Sequence, residues 1–259
     1  MTQNVAKQSE TKAAAAALIV GHGERGGAMS NAVLERHAGN AAVKLPHVAV
    51  AAGVLSGEPA FETALLDVAG RTSGPILLYP FFMAPGYFVN VKIPKRLADA
   101  GLAERCRMLT PFGLEESLPV VIMDRAKAAC DEISVRPEQV RLLLVGHGSK
   151  VARASADVTE AVAACLRELG SFARIEAAYL EEPPFLKDAV YADTRATVVV
   201  GFFNGDGMHA AEDVPKAIEK FDGMITYTGP VGAFSEVSGL ITRSIAKAIE
   251  NPPPERQGD

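Results

Sequence analysis

The chain has 259 residues, enough for one large domain or two moderate ones. Hydrophobic residues make up 48% and charged residues 22%, a balance that excludes the disordered and membrane-spanning classes. The net charge of -5 argues equally against the basic surface that a nucleic-acid-binding protein needs. Three scattered cysteines without a C-x-x-C pair predict neither a disulfide framework nor a thiolate metal cage, and we expect a cytoplasmic protein with no membrane partner.

In chain order, short apolar runs rich in β-branched residues alternate with amphipathic segments of helical period. The first half has such runs near Leu18, Val48, Ile76 and Cys106, and a closing helix is predicted over 115–131. In the second half, strands are predicted at 141–145, 174–180, 196–203 and 224–227, and helices at 152–169, 184–191, 211–221 and 234–250. This alternation is typical of a parallel sheet with helices on both faces.

The two halves of the chain resemble each other in sequence. The segment LIVGHG at 18–23 is close to LLVGHG at 143–148, and EPAF at 58–61 is close to EPPF at 182–185. Further on, FF and IP at 81–82 and 93–94 match FF and VP at 202–203 and 214–215, and TPFG at 110–113 matches GPVG at 229–232. The anchors occur in the same order, which indicates a tandem duplication.

The predicted fold class is therefore α/β, with two tandem Rossmann-like or flavodoxin-like repeats. Each repeat is a four-stranded parallel sheet with helices on both faces, and a pseudo-twofold relates the two across a cleft. The predicted boundaries are a disordered lead over 1–16, a first repeat over 17–132, a linker over 133–140, a second repeat over 141–250 and a disordered tail over 251–259.

His147 and His209 each follow a predicted strand of the second repeat, so both imidazoles reach the carboxyl end of one sheet. The segment after the strand between them supplies the carboxylates Glu181 and Glu182 at the same end. Two imidazoles and a carboxylate suit a divalent transition metal, and they can also accept protons near neutral pH. The first repeat has Phe88 where the second has His209 and Ser56 where it has Glu181, which predicts one working site per chain.

The remaining histidines have simpler interpretations. His22 lies in the first Gly-His-Gly, where a role in capping the loop and a role in the cleft are both open. His37 and His47 have no metal-binding neighbours in the pattern, so we expect a surface helix residue and a strand-edge residue respectively.

Together the Gly-His-Gly-Ser loop, the Tyr-Leu-Glu-Glu-Pro segment at 179–183 and the pattern Gly-x-His-x-x-x-Asp-Val-Pro at 207–215 resemble the class II tetrapyrrole chelatases, specifically the sirohydrochlorin cobaltochelatases and ferrochelatases. The resemblance extends over about 18–250. It implies ATP-independent insertion of Co²⁺ or Fe²⁺ into sirohydrochlorin, in the synthesis of cobalamin or sirohaem. The metal is then a substrate, and no cofactor is required.

Carried over to this sequence, the resemblance implies that His147, His209 and Glu181 hold the metal and carry the catalysis. The loop before Pro183 is shorter than the family's usual Leu-Glu-x-x-Glu-Pro, so Glu182 is the alternative ligand. His22 is then a remnant of a second site or a contact to the substrate.

Sirohydrochlorin is a polycarboxylate, so an acidic protein must gather cations at the cleft to bind it. The candidates in the loops and first helical turns are Arg25, Lys92, Lys95, Arg96, Lys150 and Arg153, with His22 beside them. The chain has no P-loop motif, in keeping with a reaction that uses no nucleotide. The alternative function is a metal or tetrapyrrole delivery protein without turnover, and because the tandem copy can replace a homodimer we expect a monomer.

Overall fold

The computed structural model describes residues 12–23, 31–149 and 153–252. Within them the strands form two four-stranded sheets, one in each half of the chain. The first sheet contains β1 (Ala15–Gly21), β2 (Val48–Val54), β3 (Ile76–Pro80) and β4 (Cys106–Met108), and the second contains β5 (Arg141–Gly146), β6 (Arg174–Tyr179), β7 (Thr197–Gly201) and β8 (Ile225–Pro230). All pairings within these two sheets are parallel, which confirms the predicted fold class.

Helices connect the strands in both halves. They are α1 (Ala32–Lys44), α2 (Phe61–Arg71), α3 (Ile93–Asp99), α4 (Leu118–Glu132), α5 (Ala154–Leu169), α6 (Leu186–Ala189), α7 (Val214–Ile218) and α8 (Val237–Glu250). The long helix predicted over 211–221 is instead a π-helical turn, His209–Asp213, followed by the short α7. A matching turn, Phe88–Lys92, precedes α3. Proline crowds the carbonyl of the preceding helical turn, so a wider turn fits before Pro94 and Pro215.

The strand order places both Gly-His-Gly loops at the topological switch point of their sheets. The orders are β2-β1-β3-β4 and β6-β5-β7-β8, so the chain reaches the two neighbours of each central strand in opposite directions. In open α/β sheets this point leaves a crevice outside the carboxyl ends of the strands, where ligands bind. His22 follows β1 and His147 follows β5, while the π-helical turns come after β3 and β7.

Each half contributes its closing helix to the other half. Helix α8 packs against α1 and β3 of the first repeat, and α4 packs against α5, β7 and β8 of the second. As a result, one buried apolar cluster contains residues of both sheets, from Ile19 in β1 to Leu144 in β5. This reciprocal packing joins the two repeats into a single body.

The ends of the chain lie largely beyond the part that the structure describes. Strand β1 begins at Ala15, inside the predicted lead, because Ala15 and Ala16 already pair with β2. The rest of the lead up to residue 11, and the tail from 253, lie outside the described residues. In the described ranges no helix is long and apolar enough to cross a membrane.

The prediction that His37 lies on a helix surface is wrong. Its side chain is fully buried, because α8 of the second repeat packs over α1. Its Nδ1 lies 2.7 Å from the Ser238 Oγ, and its Nε2 lies 2.7 Å from the Gly232 carbonyl oxygen. Burial lowers the pKa of His37, although the hydrogen bond to Gly232 partly offsets the shift. His47 is exposed immediately before the edge strand β2, at the expected position.

The buried imidazole predicts a pH-dependent stability. Since the pKa of His37 is lower in the folded protein than its usual 6.5, the unfolded chain binds more protons as the pH falls through that value. We expect the free energy of unfolding to decrease by about 1 kcal/mol between pH 7.5 and 5.5 through this residue. Urea titrations at both pH values measure the decrease, and His37→Gln should show a smaller one. Equal decreases in the two proteins would contradict the assignment.

Candidate metal centre

His147 lies in a tight loop that its two glycine neighbours make possible. A side-chain carbon at Gly146 would lie 2.6 Å from the Thr159 Oγ1, and one at Gly148 would lie 2.9 Å from the Glu182 Cγ. Gly148 also has a φ of +72°, a conformation that glycine adopts most easily. The loop therefore sits directly over the end of β6, and the Nδ1 of His147 lies 2.9 Å from the Gly148 carbonyl oxygen.

His209 begins the π-helical turn after β7 and is oriented by a carboxylate one turn later. Its Nδ1 lies 2.7 Å from the Asp213 Oδ2. A carboxylate that accepts a hydrogen bond from the far nitrogen of a histidine fixes the tautomer and makes the near nitrogen a better metal ligand. Asp213 was not among the residues predicted from the sequence. Its spacing of four residues from His209 in a helical segment could have indicated the contact, because such residues lie on one face of a helix.

The two imidazoles meet through their Nε2 atoms, which lie 3.0 Å apart. The Gly148 carbonyl and the Asp213 carboxylate can only accept hydrogen bonds, so each Nδ1 carries a proton, and in the neutral form of each ring Nε2 has a lone pair. Two facing lone pairs repel each other unless a proton or a cation lies between them. A metal at about 2.0–2.1 Å from both nitrogens would separate them by about 2.9–3.3 Å for right-angled to tetrahedral ligation. The observed distance therefore suits two ligands of one metal ion.

The carboxylates at 181 and 182 have different surroundings. Glu182 Oε1 accepts a hydrogen bond of 2.9 Å from the Ser149 backbone N–H, and its Oε2 lies 3.9 Å from the Arg153 Nη1. The backbone N–H of Glu181 donates to the His147 carbonyl at 3.0 Å, which fixes the two loops together. Glu182 is thus engaged in holding its neighbours, and the choice between Glu181 and Glu182 as the carboxylate ligand stays a prediction.

Among the residues that the structure describes, the histidine pair has no third side chain beside it that completes a metal site. In the ranges that the structure describes, no three histidine, cysteine, aspartate or glutamate side chains are gathered closely enough to enclose a metal. The role of Glu181 thus remains a prediction, which requires its side chain to turn toward the histidines. A site with open positions is the arrangement expected where a metal must be passed on.

The corresponding end of the first sheet has the same geometry with different chemistry. The rings of His22 and Phe88 have centroids 4.4 Å apart at 86°, whereas those of His147 and His209 are 4.4 Å apart at 89°. The Phe88 ring therefore occupies the place of a metal-binding imidazole. Lys92, four residues later, stands where the second repeat has Asp213, and its Nζ lies 5.3 Å from the centre of the Phe88 ring.

The structure corrects one detail of the sequence repeat. Isolated bridges join Val54 to Ala60 in the first repeat and Tyr179 to Phe185 in the second. This pairing aligns Gly57 with Glu182 and Glu58 with Pro183, so the match of Glu58 with Glu182 was shifted by one residue. We call His22, Ser56, Gly57, Phe88 and Lys92 the first-repeat edge, and His147, Glu181, Glu182, His209 and Asp213 the second-repeat edge.

Of the predicted anion-binding residues that follow the two Gly-His-Gly loops, Arg153 is the one that lies within the described residues. Arg153 precedes α5 with its side chain 72% exposed, and its Nε lies 3.3 Å from the Asp157 carboxylate. The contact with Glu182 places Arg153 beside the second-repeat edge. Arg25 and Lys150 lie outside the described residues.

Comparison with known proteins finds relatives of both halves of the chain. The family model CbiX matches residues 16–129 and 141–248, one match in each half. A probable sirohydrochlorin cobaltochelatase of Halobacterium salinarum is 27% identical over 224 residues, which cover 78% of this chain and 75% of that protein. The sirohydrochlorin cobaltochelatase of Methanopyrus kandleri is 34% identical over 140 residues, covering 42% of this chain and 97% of its own. A solved structure of CbiX, described as the terminal enzyme of sirohaem biosynthesis in denitrifying bacteria, aligns with a TM-score of 0.75 and 30% identity over 90% of this chain and 98% of its own.

Proposed function

This chain belongs to the CbiX family, and from that premise we propose that it is a chelatase that inserts Co²⁺ or Fe²⁺ into sirohydrochlorin without ATP. The observation that carries the proposal is the 3.0 Å separation of the Nε2 atoms of His147 and His209. Two imidazoles held at this distance by fixed Nδ1 partners can bind a divalent ion and leave its other positions open. The relatives named as sirohydrochlorin cobaltochelatases supply the substrate class.

The insertion exchanges a metal ion for two pyrrole protons, and the histidine pair can take part on both sides of that exchange. His147 and His209 hold the incoming metal while ring nitrogens of the macrocycle replace them as its ligands. Each imidazole that loses the metal regains a free Nε2 lone pair, which can accept one pyrrole proton. Asp213 then stabilises the resulting charge on His209, because its carboxylate lies 2.7 Å from the opposite ring nitrogen.

Within this proposal Glu181 is the third metal ligand. Its loop is anchored to the His147 loop by the 3.0 Å backbone hydrogen bond, which keeps the backbone of Glu181 beside that loop. The donor set of two nitrogens and one oxygen suits cobalt and iron equally. Initial rates with Co²⁺ and Fe²⁺ at limiting metal decide between them.

The experiment that tests the proposal follows the visible spectrum of sirohydrochlorin with purified protein and Co²⁺ in the absence of nucleotide. A chelatase forms many equivalents of the cobalt product per chain at a rate proportional to protein concentration. A delivery protein, which could use the same histidine pair, gives a spectral change that stops at one equivalent. That second outcome would refute the proposed function.

We further propose that Lys150 and Arg153 bind carboxylates of the substrate. The exposed Arg153 lies beside the second-repeat edge, and Lys150 follows the same Gly-His-Gly loop. Replacing both with glutamine is expected to raise KM by about tenfold, to weaken its dependence on salt and to change kcat little. Steady-state kinetics at two salt concentrations measure these effects. Arg174→Gln, at the opposite end of β6, is the control, and an unchanged KM in the double variant would reject the assignment.

The packing of the chain supports a monomeric enzyme. The closing helices α4 and α8 already cross between the repeats, so the pseudo-twofold arrangement is complete within one chain. We therefore propose that the predicted cleft needs no second copy to complete it.

A further inference from the structure

The first-repeat edge has the backbone of a metal site without its ligands. Leu55 donates its backbone N–H to the Gly21 carbonyl at 3.0 Å, and Leu180 donates to Gly146 at 3.2 Å. The positions that follow are therefore equivalent, so that Ser56 corresponds to Glu181 and Gly57 to Glu182. Since the π-helical turns Phe88–Lys92 and His209–Asp213 also correspond, every position of one edge has a counterpart in the other.

The charges at these equivalent positions differ, and at one of them the sign is reversed. The second-repeat edge carries three carboxylates, Glu181, Glu182 and Asp213, whereas the first-repeat edge has Ser56, Gly57 and the cation Lys92 in their places. A cluster of carboxylates and imidazoles attracts a metal cation. An ammonium group without a nearby carboxylate at the same place attracts an anion instead.

Among the described residues, the ammonium group of Lys92 is in no ion pair, so its charge can bind an anion. Its cation–π contact with Phe88 is the one interaction found for its ammonium group among the described residues. The next cations along the chain are already paired, Lys95 with Asp99 at 2.9 Å and Arg96 with Glu62 at 3.1 Å. The carboxylate of Glu58 is also engaged, because it accepts the backbone N–H of Ala60 at 2.9 Å.

The aromatic surroundings fit a flat organic anion. His22 and Lys92 both contact the Phe88 ring, which gathers a cation, an imidazole and an apolar ring within one cluster. Tyr87, adjacent to Phe88, is 65% exposed and extends the apolar surface outward. A carboxylate attached to a conjugated ring system could pair with Lys92 while its ring lies against these aromatic side chains.

We infer that the first-repeat edge binds a peripheral carboxylate of the tetrapyrrole, at the position equivalent to the metal site of the second-repeat edge. This inference rests on the proposed function. One half of the protein presents the metal while the other holds the macrocycle by its rim, so the two sites together orient the substrate across the cleft.

The test compares Lys92→Gln with Lys95→Gln, whose replaced lysine is 71% exposed and lies on the helix that follows. Metal-free sirohydrochlorin is titrated into each protein and its absorbance followed, and Co²⁺ alone is titrated separately. Lys92→Gln should raise the dissociation constant of sirohydrochlorin by about fivefold and leave that of Co²⁺ unchanged. The control should match the wild type in both titrations.

The results distinguish a failure of this inference from a failure of the proposed function. A wild-type protein that metallates sirohydrochlorin while both variants bind it equally would overturn this inference alone. A wild type that fails to metallate it would refute the proposed function. Acetate at millimolar concentration should not displace sirohydrochlorin from the wild type. Displacement that depends on Lys92 would identify a site for small anions and overturn the inference.

Discussion

Replacing His147 with alanine is expected to lower the rate of cobalt insertion by about a thousandfold, because it removes a proposed metal ligand and a proposed proton acceptor together. Its partner His209 would keep its Asp213 contact but lose the nitrogen 3.0 Å away, so Co²⁺ affinity should also fall. Stopped assays of sirohydrochlorin metallation and a separate Co²⁺ titration measure the two effects.

The duplication supplies a matched comparison within the same chain. His22→Ala removes the equivalent imidazole of the first repeat, where Phe88 replaces the second ligand, so any loss should be confined to KM. His47→Ala, at an exposed position before β2, controls for metal bound adventitiously by surface histidines. Insertion by His147→Ala at the wild-type rate, or an equal loss of kcat in His22→Ala, would contradict the assignment.

A triple substitution in the first-repeat edge is expected to create a second metal-binding site. Combining Ser56→Glu, Phe88→His and Lys92→Asp gives the first-repeat edge the ligands of the second. The ring geometry of His22 and Phe88 already matches that of His147 and His209, so the new imidazole should meet His22 at ligand distance. We expect Co²⁺ binding to rise from about one to about two ions per chain. Calorimetric titration gives the stoichiometry directly.

Phe88→His alone is the control for this experiment. It supplies the nitrogen ligand but leaves the Lys92 ammonium where Asp213 stands in the other repeat, so its second ion should bind at least about tenfold more weakly than in the triple variant. A triple variant that still binds one ion per chain would show that the two edges are not equivalent as metal sites. The inference that the first-repeat edge binds a carboxylate at the equivalent of the metal site would then lose its support.

Much of the site could be predicted because parallel sheets bring distant residues together in a regular way. The carboxyl ends of neighbouring strands meet at one edge, so two strand-following histidines, His147 and His209, had to converge. The comparison of repeats also identified Phe88 as the replacement for one of them. The first prediction depends on strand order and the second on the alignment of the repeats, and neither needs knowledge of side-chain packing.

The burial of His37 could not be predicted, because it depends on contacts between the two halves of the chain. His37 has the sequence surroundings of a surface residue, and it is buried because α8 crosses to the other repeat. The hydrogen bonds of its ring come from Ser238 and Gly232, far away in the chain, and no local pattern signals them. The one-residue error in aligning Glu58 has a different cause. The dipeptide Glu-Pro occurs in both repeats and was matched by its sequence, whereas the backbone bridges show that the two occurrences differ in register by one residue.

If the metal binds between His147 and His209, crystals soaked in Co²⁺ should show it there by anomalous scattering. We expect one strong cobalt peak about 2.0–2.1 Å from both Nε2 atoms, with the Glu181 side chain turned toward it. A peak at His22 or on surface histidines, with the His147 and His209 pair empty at saturating Co²⁺, would contradict it.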